Sequence, residues 1–400
     1  MTETVNRPAS SSLTVDRAES WKGRFPKNGI ISLLDTNSAF NLAESTASDL
    51  TVGQLVDMVG WHHVKDLKLG YGSSTGNSML REQVAQLCAV LPDEVLITQG
   101  AALGLFLLAF ELCRADDEVV LITPYFPPNH DAFISCGVRV RKVQLHFDEA
   151  YRLDPKRVAD ILSPETRLVS LATPQNPSGK RIPHDVICAI LDAMAARAPQ
   201  ARLCIDETYR LTNYDGGRPV PSVAALDPRV ITAASVSKSH GAPGLRVGWM
   251  TVRDPDLRQR LMVAKMNIVV SGSTLDEVLA AGLIARQDAV LIPRGRMLAT
   301  ALEMISHWHK GEIGRLDWVR PDGGALCCMR LNREVFNAAA VERFWMALPG
   351  RDLQLAPGDW FGEEKRIFRL GFGYLPLHNL EAALAALSRV LDDAILAKSA

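Results

Sequence analysis

The sequence has no apolar run long enough to cross a bilayer. Its longest, AALGLFLLAFELC (101–113), falls short of the roughly 20 residues a spanning helix needs and reads as a buried helix. It also lacks an excess of either charge: 44 lysines and arginines stand against 45 aspartates and glutamates, which leaves no concentrated positive surface for nucleic acid or an anionic membrane. A small molecule is therefore the expected partner. The seven cysteines (Cys88, Cys113, Cys136, Cys188, Cys204, Cys327 and Cys328) are odd in number and scattered through apolar surroundings. That pattern excludes a disulfide framework and a zinc site, and fits reduced core residues. The polar start MTETVNRPASSSLTVD lacks the apolar centre of a secretory signal, so a cytoplasmic location is expected. No internal repeat, low-complexity tract or long linker occurs.

What is present is the composition of an ordinary globular protein, 47% hydrophobic, over a length that allows one large domain and one smaller. After a polar arm (1–50), residues 51–291 alternate helical stretches with short segments rich in β-branched residues. These are EVLIT (94–98), EVVLIT (118–123), VRVRKV (138–143), RLVSLAT (167–173), RLCID (202–206), RVITAAS (229–235) and RVGWMTV (246–252). Near-continuous apolar strands separated by helices predict an α/β fold with a mostly parallel seven-stranded sheet sandwiched by helices. From residue 292 to 400 the pattern changes. WVRPDGGALCCMRL reads as a strand after a turn, LQLAPGDWFG and RIFRLGFG follow, and Leu380, Leu384, Leu387 and Leu391 form one stripe of a final helix. These features predict a small α+β C-terminal domain, completed by the N-terminal arm.

Polar residues cluster where predicted strands end: Asp206, Ser235 and the loop after Thr173. In parallel α/β sheets ligands bind beyond the carboxyl ends of the strands, so these separated residues are expected to converge. Around them lies an ordered set of motifs: YGSSTGNSMLR at Tyr71, TQGAA at Thr98, TPYFPP at Thr123, ATPQNPSG at Ala172, DETY at Asp206, SVSKSHGAPGLRVG at Ser235 and FRLGF at Phe368. In this order they resemble the fold-type-I pyridoxal 5'-phosphate enzymes, the aspartate aminotransferase superfamily of class I and II aminotransferases.

The resemblance implies roles residue by residue. Lys238 would hold the cofactor as a Schiff base and move protons once exchanged for a substrate amine. Ser235, Ser237 and Arg246 would bind the phosphate, together with the backbone of Gly100, Ala101 and Ala102 at a helix start. Ala102 stands where the family often has a hydroxyl residue, which removes one hydrogen bond to the phosphate. Asp206 would keep the ring nitrogen protonated. Tyr209 and Asn176 would bond the ring oxygen, and Phe126 would stack on the ring, with Asn129 and His130 following it along the substrate pocket. Arg369 would grip the substrate carboxylate. Tyr71 and Ser273 would reach the phosphate from the neighbouring subunit of a homodimer.

The same residues serve transamination, elimination, replacement and cyclisation, and transamination of an amino acid to a 2-oxo acid is the commonest outcome in the superfamily. FNLAES (40–45) points elsewhere. Glu44 resembles the acidic residue of aminocyclopropane-carboxylate synthases and of arginine-oxidising relatives, and would favour a cationic side chain; alternatively it caps or solvates a turn. The arm and ATPQNPSG also resemble capreomycidine synthase, which cyclises a modified arginine. The arginine oxidases carry a histidine soon after their acidic residue, whereas no histidine lies between Phe40 and Trp61 here, which disfavours oxidation. The attached helix-turn-helix domain and basic face of transcription regulators with this fold are also missing, so an enzyme is expected. WHH (61–63) and HWH (307–309) lack the partners and spacing of a metal site.

Overall fold

The computed structural model describes residues 23–214 and 220–396; the polar N-terminal stretch lies outside the described residues, as do residues 19–22 of the arm segment ESWKGRF (19–25), which forms part of the resemblance to capreomycidine synthase. In the arm, β1 (Phe40–Asn41) is followed by a coil that crosses to the large domain. All seven apolar segments form strands: β2 (Val95–Thr98), β3 (Glu118–Thr123), β4 (Arg139–Gln144), β5 (Thr166–Ala172), β6 (Arg202–Asp206), β7 (Val230–Ser235) and β8 (Gly248–Val252). They join in one sheet, in the order β2-β8-β7-β6-β5-β3-β4. β8 runs antiparallel to both its neighbours, and the remaining pairs are parallel.

Both faces of this sheet are apolar because successive side chains point to opposite sides. Val120, Ile122, Val169 and Leu171 enter one core, and Val119, Leu121, Leu168 and Cys204 the other. Helices cover each face, so a strand such as β3 is buried along its whole length. The charged RVRKV segment forms the edge strand β4, whose arginines are partly or fully exposed.

The helix Asp288–Glu312 leads out of the large domain, passing unbroken through residues 291 and 292, where the composition changes. WVRPDGGALCCMRL is a hairpin and supplies two strands where one was expected: β9 (Leu316–Val319) and β10 (Leu326–Leu331). The short β11 (Leu353–Gln354) and β12 (Ala356–Pro357) precede β13 (Ile367–Gly371), and the small sheet has the antiparallel order β12-β13-β10-β9. The leucine stripe of the final helix, Leu377–Leu396, is buried against it. Cys327 and Cys328 point to opposite faces of β10 and enter different cores.

The arm packs against the strands that follow residue 315. β1 pairs in parallel with β11, and Leu42 is buried in the small-domain core. The Gly371 N–H donates to the Leu42 carbonyl at 2.7 Å. Here glycine is required by space: a Cβ on Gly371 would run into the carbonyl oxygen of Glu44. Gly371→Ala is therefore expected to lower the unfolding free energy by about 2–3 kcal/mol, since the obstacle is backbone. Gly311→Ala lies in the helix Asp288–Glu312 with open space around it, and should raise stability by up to about 1 kcal/mol. Urea unfolding followed by circular dichroism checks both.

Candidate active site

Strand direction brings the predicted residues to one edge of the large sheet. Asp206 ends β6, Ser235 ends β7, and Asn176 and Phe126 lie just beyond β5 and β3. Arg246 precedes the antiparallel β8, so it enters from the same edge. The helix Gly100–Leu112 follows β2 and has no side-chain cap at its start, which leaves its first N–H groups free for an acceptor. A cleft of about 1560 Å³ opens there. Ala101, Ala102, Phe126, Asn176 and Asp206 line it, as do Tyr209, Ser235, Ser237, Lys238, Arg246 and Glu44.

Lys238 lies in the loop after β7 and donates from Nζ to Oε1 of Glu44 at 3.0 Å. The same oxygen accepts the N–H groups of Ser45 at 2.7 Å and Thr46 at 3.1 Å. Glu44 thus closes a turn of the arm, as one of its two expected readings has it, and pairs with the lysine at once. Burial works against its charge, but the Lys238 ammonium and the hydrogen bond from it, with Arg369 adding, more than offset this and hold its pKa at about 2.

Asp206 behaves oppositely. Burial raises its pKa; the Thr208 hydrogen bonds and the more distant Lys238 oppose that rise, and neighbouring Glu207 adds to it. Its Oδ1 accepts the Thr208 N–H at 2.9 Å, and among the described residues no cation pairs with it. Glu207, next along DETY, turns into the protein and pairs with Arg210 at 2.9 Å.

Arg369 is 2% exposed. Its Nη1 donates to Asn176 Oδ1 at 2.9 Å and its Nη2 to the Ala43 carbonyl at 2.5 Å, while the guanidinium lies 4.8 Å from the Phe361 ring. Arg369 therefore meets the cleft through Asn176, and its own surface is not part of the wall. The Tyr209 hydroxyl bonds Ser45 Oγ at 2.8 Å, a second tie between the arm and the strand ends.

Other residues are placed elsewhere. Asn129 and His130, expected along the pocket, are engaged outside it: Asn129 donates to Ser170, and His130 bonds Asp131 and stacks on Tyr125. Ser273 Oγ caps the helix Thr274–Ala285 by accepting the Asp276 N–H at 3.3 Å. Tyr71 is 90% exposed and does not line the cleft of its own chain. Sequence reasoning missed Thr46, Asp49, Thr208 and Tyr374, all on the cleft wall. Thr208 could have been found from its place within DETY at a strand end. The other three sit in coil or turn with no periodic signal.

These residues fit pyridoxal 5'-phosphate. Arg246 has no carboxylate partner among the described residues, and its Nη1 bonds only the Pro243 carbonyl, so its charge is available to an anion at the helix start. Gly100, at φ +74°, leaves room there that a Cβ would take, 2.5 Å from Arg246 Nη2. At the other end, the desolvated carboxylate of Asp206 suits a protonated ring nitrogen.

The family described as aminotransferase class I and II matches residues 50–387. Capreomycidine synthase of Streptomyces vinaceus is 30% identical over 356 residues, 88% of this chain and 89% of that protein. The arginine–pyruvate transaminase of Pseudomonas aeruginosa is 30% identical over 187 residues, 45% of this chain and 47% of that one. Among solved structures, a PLP-dependent aminotransferase from Streptococcus suis superposes with a TM-score of 0.83 at 21% identity, over 92% of this chain and 98% of that one.

The depressed pKa of Glu44 has a sign that can be measured. With a folded value of about 2 against an ordinary 4.5, the contribution of the carboxylate to stability is complete above 4.5 and is lost as the pH falls toward 2. In the cofactor-free chain, the unfolding free-energy gap between the protein and Glu44→Gln should be constant above about pH 5 and shrink steadily below it. Urea unfolding of both across that range is the check.

Proposed function

The chain belongs to the class I and II aminotransferase family and is a pyridoxal 5'-phosphate enzyme; from that premise we propose that it transfers the α-amino group of an amino acid to a 2-oxo acid. The observation that carries this reading is the single lysine amine, Lys238, in one cleft with Asp206 and Arg246. When bound, the cofactor supplies a reactive aldehyde and a ring that accepts electrons from the substrate. Arg246, Ser235, Ser237 and the N–H groups at Ala101 and Ala102 would hold its phosphate, and Asp206 its ring nitrogen. Tyr209 and Asn176 would bond the ring oxygen, with Phe126 on the ring face. Lys238 would leave Glu44 to bind the cofactor, and after substrate exchange its Nζ would carry the proton from the substrate α-carbon. Arg369, acting with Asn176, would fix the α-carboxylate and so choose which bond at the α-carbon breaks.

A second reading has its own support: cyclisation or elimination on an amino acid with a cationic side chain. Glu44 places a carboxylate in the cleft, and capreomycidine synthase is a relative over most of the chain. A homodimer also forms part of the proposal. The exposed Tyr71 lies beside exposed Leu69, and exposed Ile268 and Val270 offer further apolar surface for a second copy, whose Tyr71 would reach the phosphate.

Purified with pyridoxal phosphate, the protein should be yellow and retain a borohydride-fixed adduct on denaturation, and Lys238→Ala should retain none. An adduct of unchanged size in that variant would refute the assignment. With the loaded enzyme and one amino acid at a time, transfer gives one equivalent of 2-oxo acid per site and no ammonia. Ammonia marks elimination, and consumption of the amino acid with neither product marks cyclisation. Light scattering is expected to give twice the chain mass.

A further inference from the structure

We propose that the arm-side end of the cleft is a subsite for a guanidinium-bearing side chain, in which Asp49 and Thr46 join Glu44 as specificity-determining residues. The inference rests on the reading of this cleft as a pyridoxal-phosphate site and adds the chemical class of the substrate. All three residues line the cleft from one coil of the arm, and Tyr374 faces them from the turn after β13.

The Asp49 carboxylate makes no hydrogen bond or ion pair among the described residues. Arg294 acts on its charge, but that guanidinium is committed to the carbonyls of Ser239 at 3.2 Å and Ser48 at 2.6 Å. Burial, and then the charge of Glu44, raise the pKa of Asp49, while Arg294 and Lys238 lower it; the two carboxylates therefore share one neighbourhood. The Tyr374 hydroxyl lies in the same field, its pKa raised by burial and by the charges of Asp49 and Glu44.

Thr46 is an independent sign of a ligand. It is 3% exposed, its Oγ1 has no hydrogen-bond partner, and it borders the cleft. A buried hydroxyl without a partner is costly, and a donor entering the cleft would remove that cost. Among the described residues, the only cation that pairs with this cluster is Lys238, the amine that the cofactor must claim. Once Lys238 is drawn away, Arg294 and Arg369 still act on the two carboxylates, but among the described residues neither carboxylate keeps an ion-pair partner at hydrogen-bond distance, and a cationic side chain entering the cleft would supply one. Acceptors at three backbone positions suit a guanidinium, which presents five N–H groups in a plane, better than an ammonium with three from one point.

The test uses non-reacting carboxylic acids, which lack the amino group, bound to the loaded enzyme and followed by calorimetry. δ-Guanidinovaleric acid should bind about tenfold or more tightly than its neutral isostere δ-ureidovaleric acid, and more tightly than ε-aminocaproic acid. In Asp49→Asn, where Glu44 remains, the guanidino-to-ureido preference should fall by about fivefold, and in Thr46→Val by about threefold. A ratio near one in the unaltered enzyme, a ratio unchanged in Asp49→Asn, or tighter binding of the ammonium acid would each overturn the assignment. The visible absorbance of bound pyridoxal phosphate on the same samples separates the two readings. A chain that takes up no cofactor refutes the proposed function, whereas a loaded chain without the preference refutes the subsite.

Discussion

The ion pair between Glu44 and Lys238 ties the arm to the large domain, and the geometry of the cleft depends on it. The partners are 194 residues apart in sequence and come from different layers of the fold. Around them the coil after β1 is fixed on three sides. Gly371 and Leu42 hold it to the small sheet, Arg369 holds the Ala43 carbonyl, and Tyr209 holds Ser45. The short stretch of arm from Ala43 to Ala47 therefore belongs to the wall of the cleft. Anything that moves it changes the partner of Lys238 and the alignment of Arg369 together, because one backbone carries both contacts.

Two carboxylates of similar depth show how that arrangement sets charge. Glu44 has a cation at hydrogen-bond distance and two backbone donors, so its charged form is favoured despite burial. Asp206 has one backbone donor at hydrogen-bond distance and no cation as close, so burial prevails and its pKa rises. Depth alone would have moved both groups the same way; the nearest positive charge decides the sign. A protonated ring nitrogen beside Asp206 would supply the missing partner.

Much of the fold was legible in the sequence because strands buried on both faces must be apolar at nearly every position; six such runs stood out between helical stretches, with the charged RVRKV segment as the exposed edge strand. Their ends also marked Asp206 and Ser235, since a parallel sheet directs those ends to one edge. The parts that were not legible depend on contacts between distant segments. Nothing local in FNLAESTASD distinguishes a turn-capping Glu44 from a pocket carboxylate, and the structure makes it both. Ser273 has the sequence of a helix cap as much as that of a phosphate ligand, and its hydroxyl is used as a cap. Arg369 sits in the expected strand, yet its hydrogen bonds to Asn176 and Ala43 depend on how the domains meet, which no strand pattern encodes.

That division has a consequence for how such a chain acquires its reaction. The sheet edge fixes the groups proposed to handle the phosphate and the ring, and those demands would be the same whichever substrate bond breaks. The arm, in contrast, contributes Glu44, Thr46 and Asp49 from a coil that lies outside the large sheet and is held by a few specific contacts. Substitutions at Thr46 or Asp49 can alter the polarity of this wall without touching the seven strands. Relatives that share the large domain can therefore diverge as transaminases and cyclases, and the residues that separate them should be sought in the arm and in the small-domain turn carrying Tyr374.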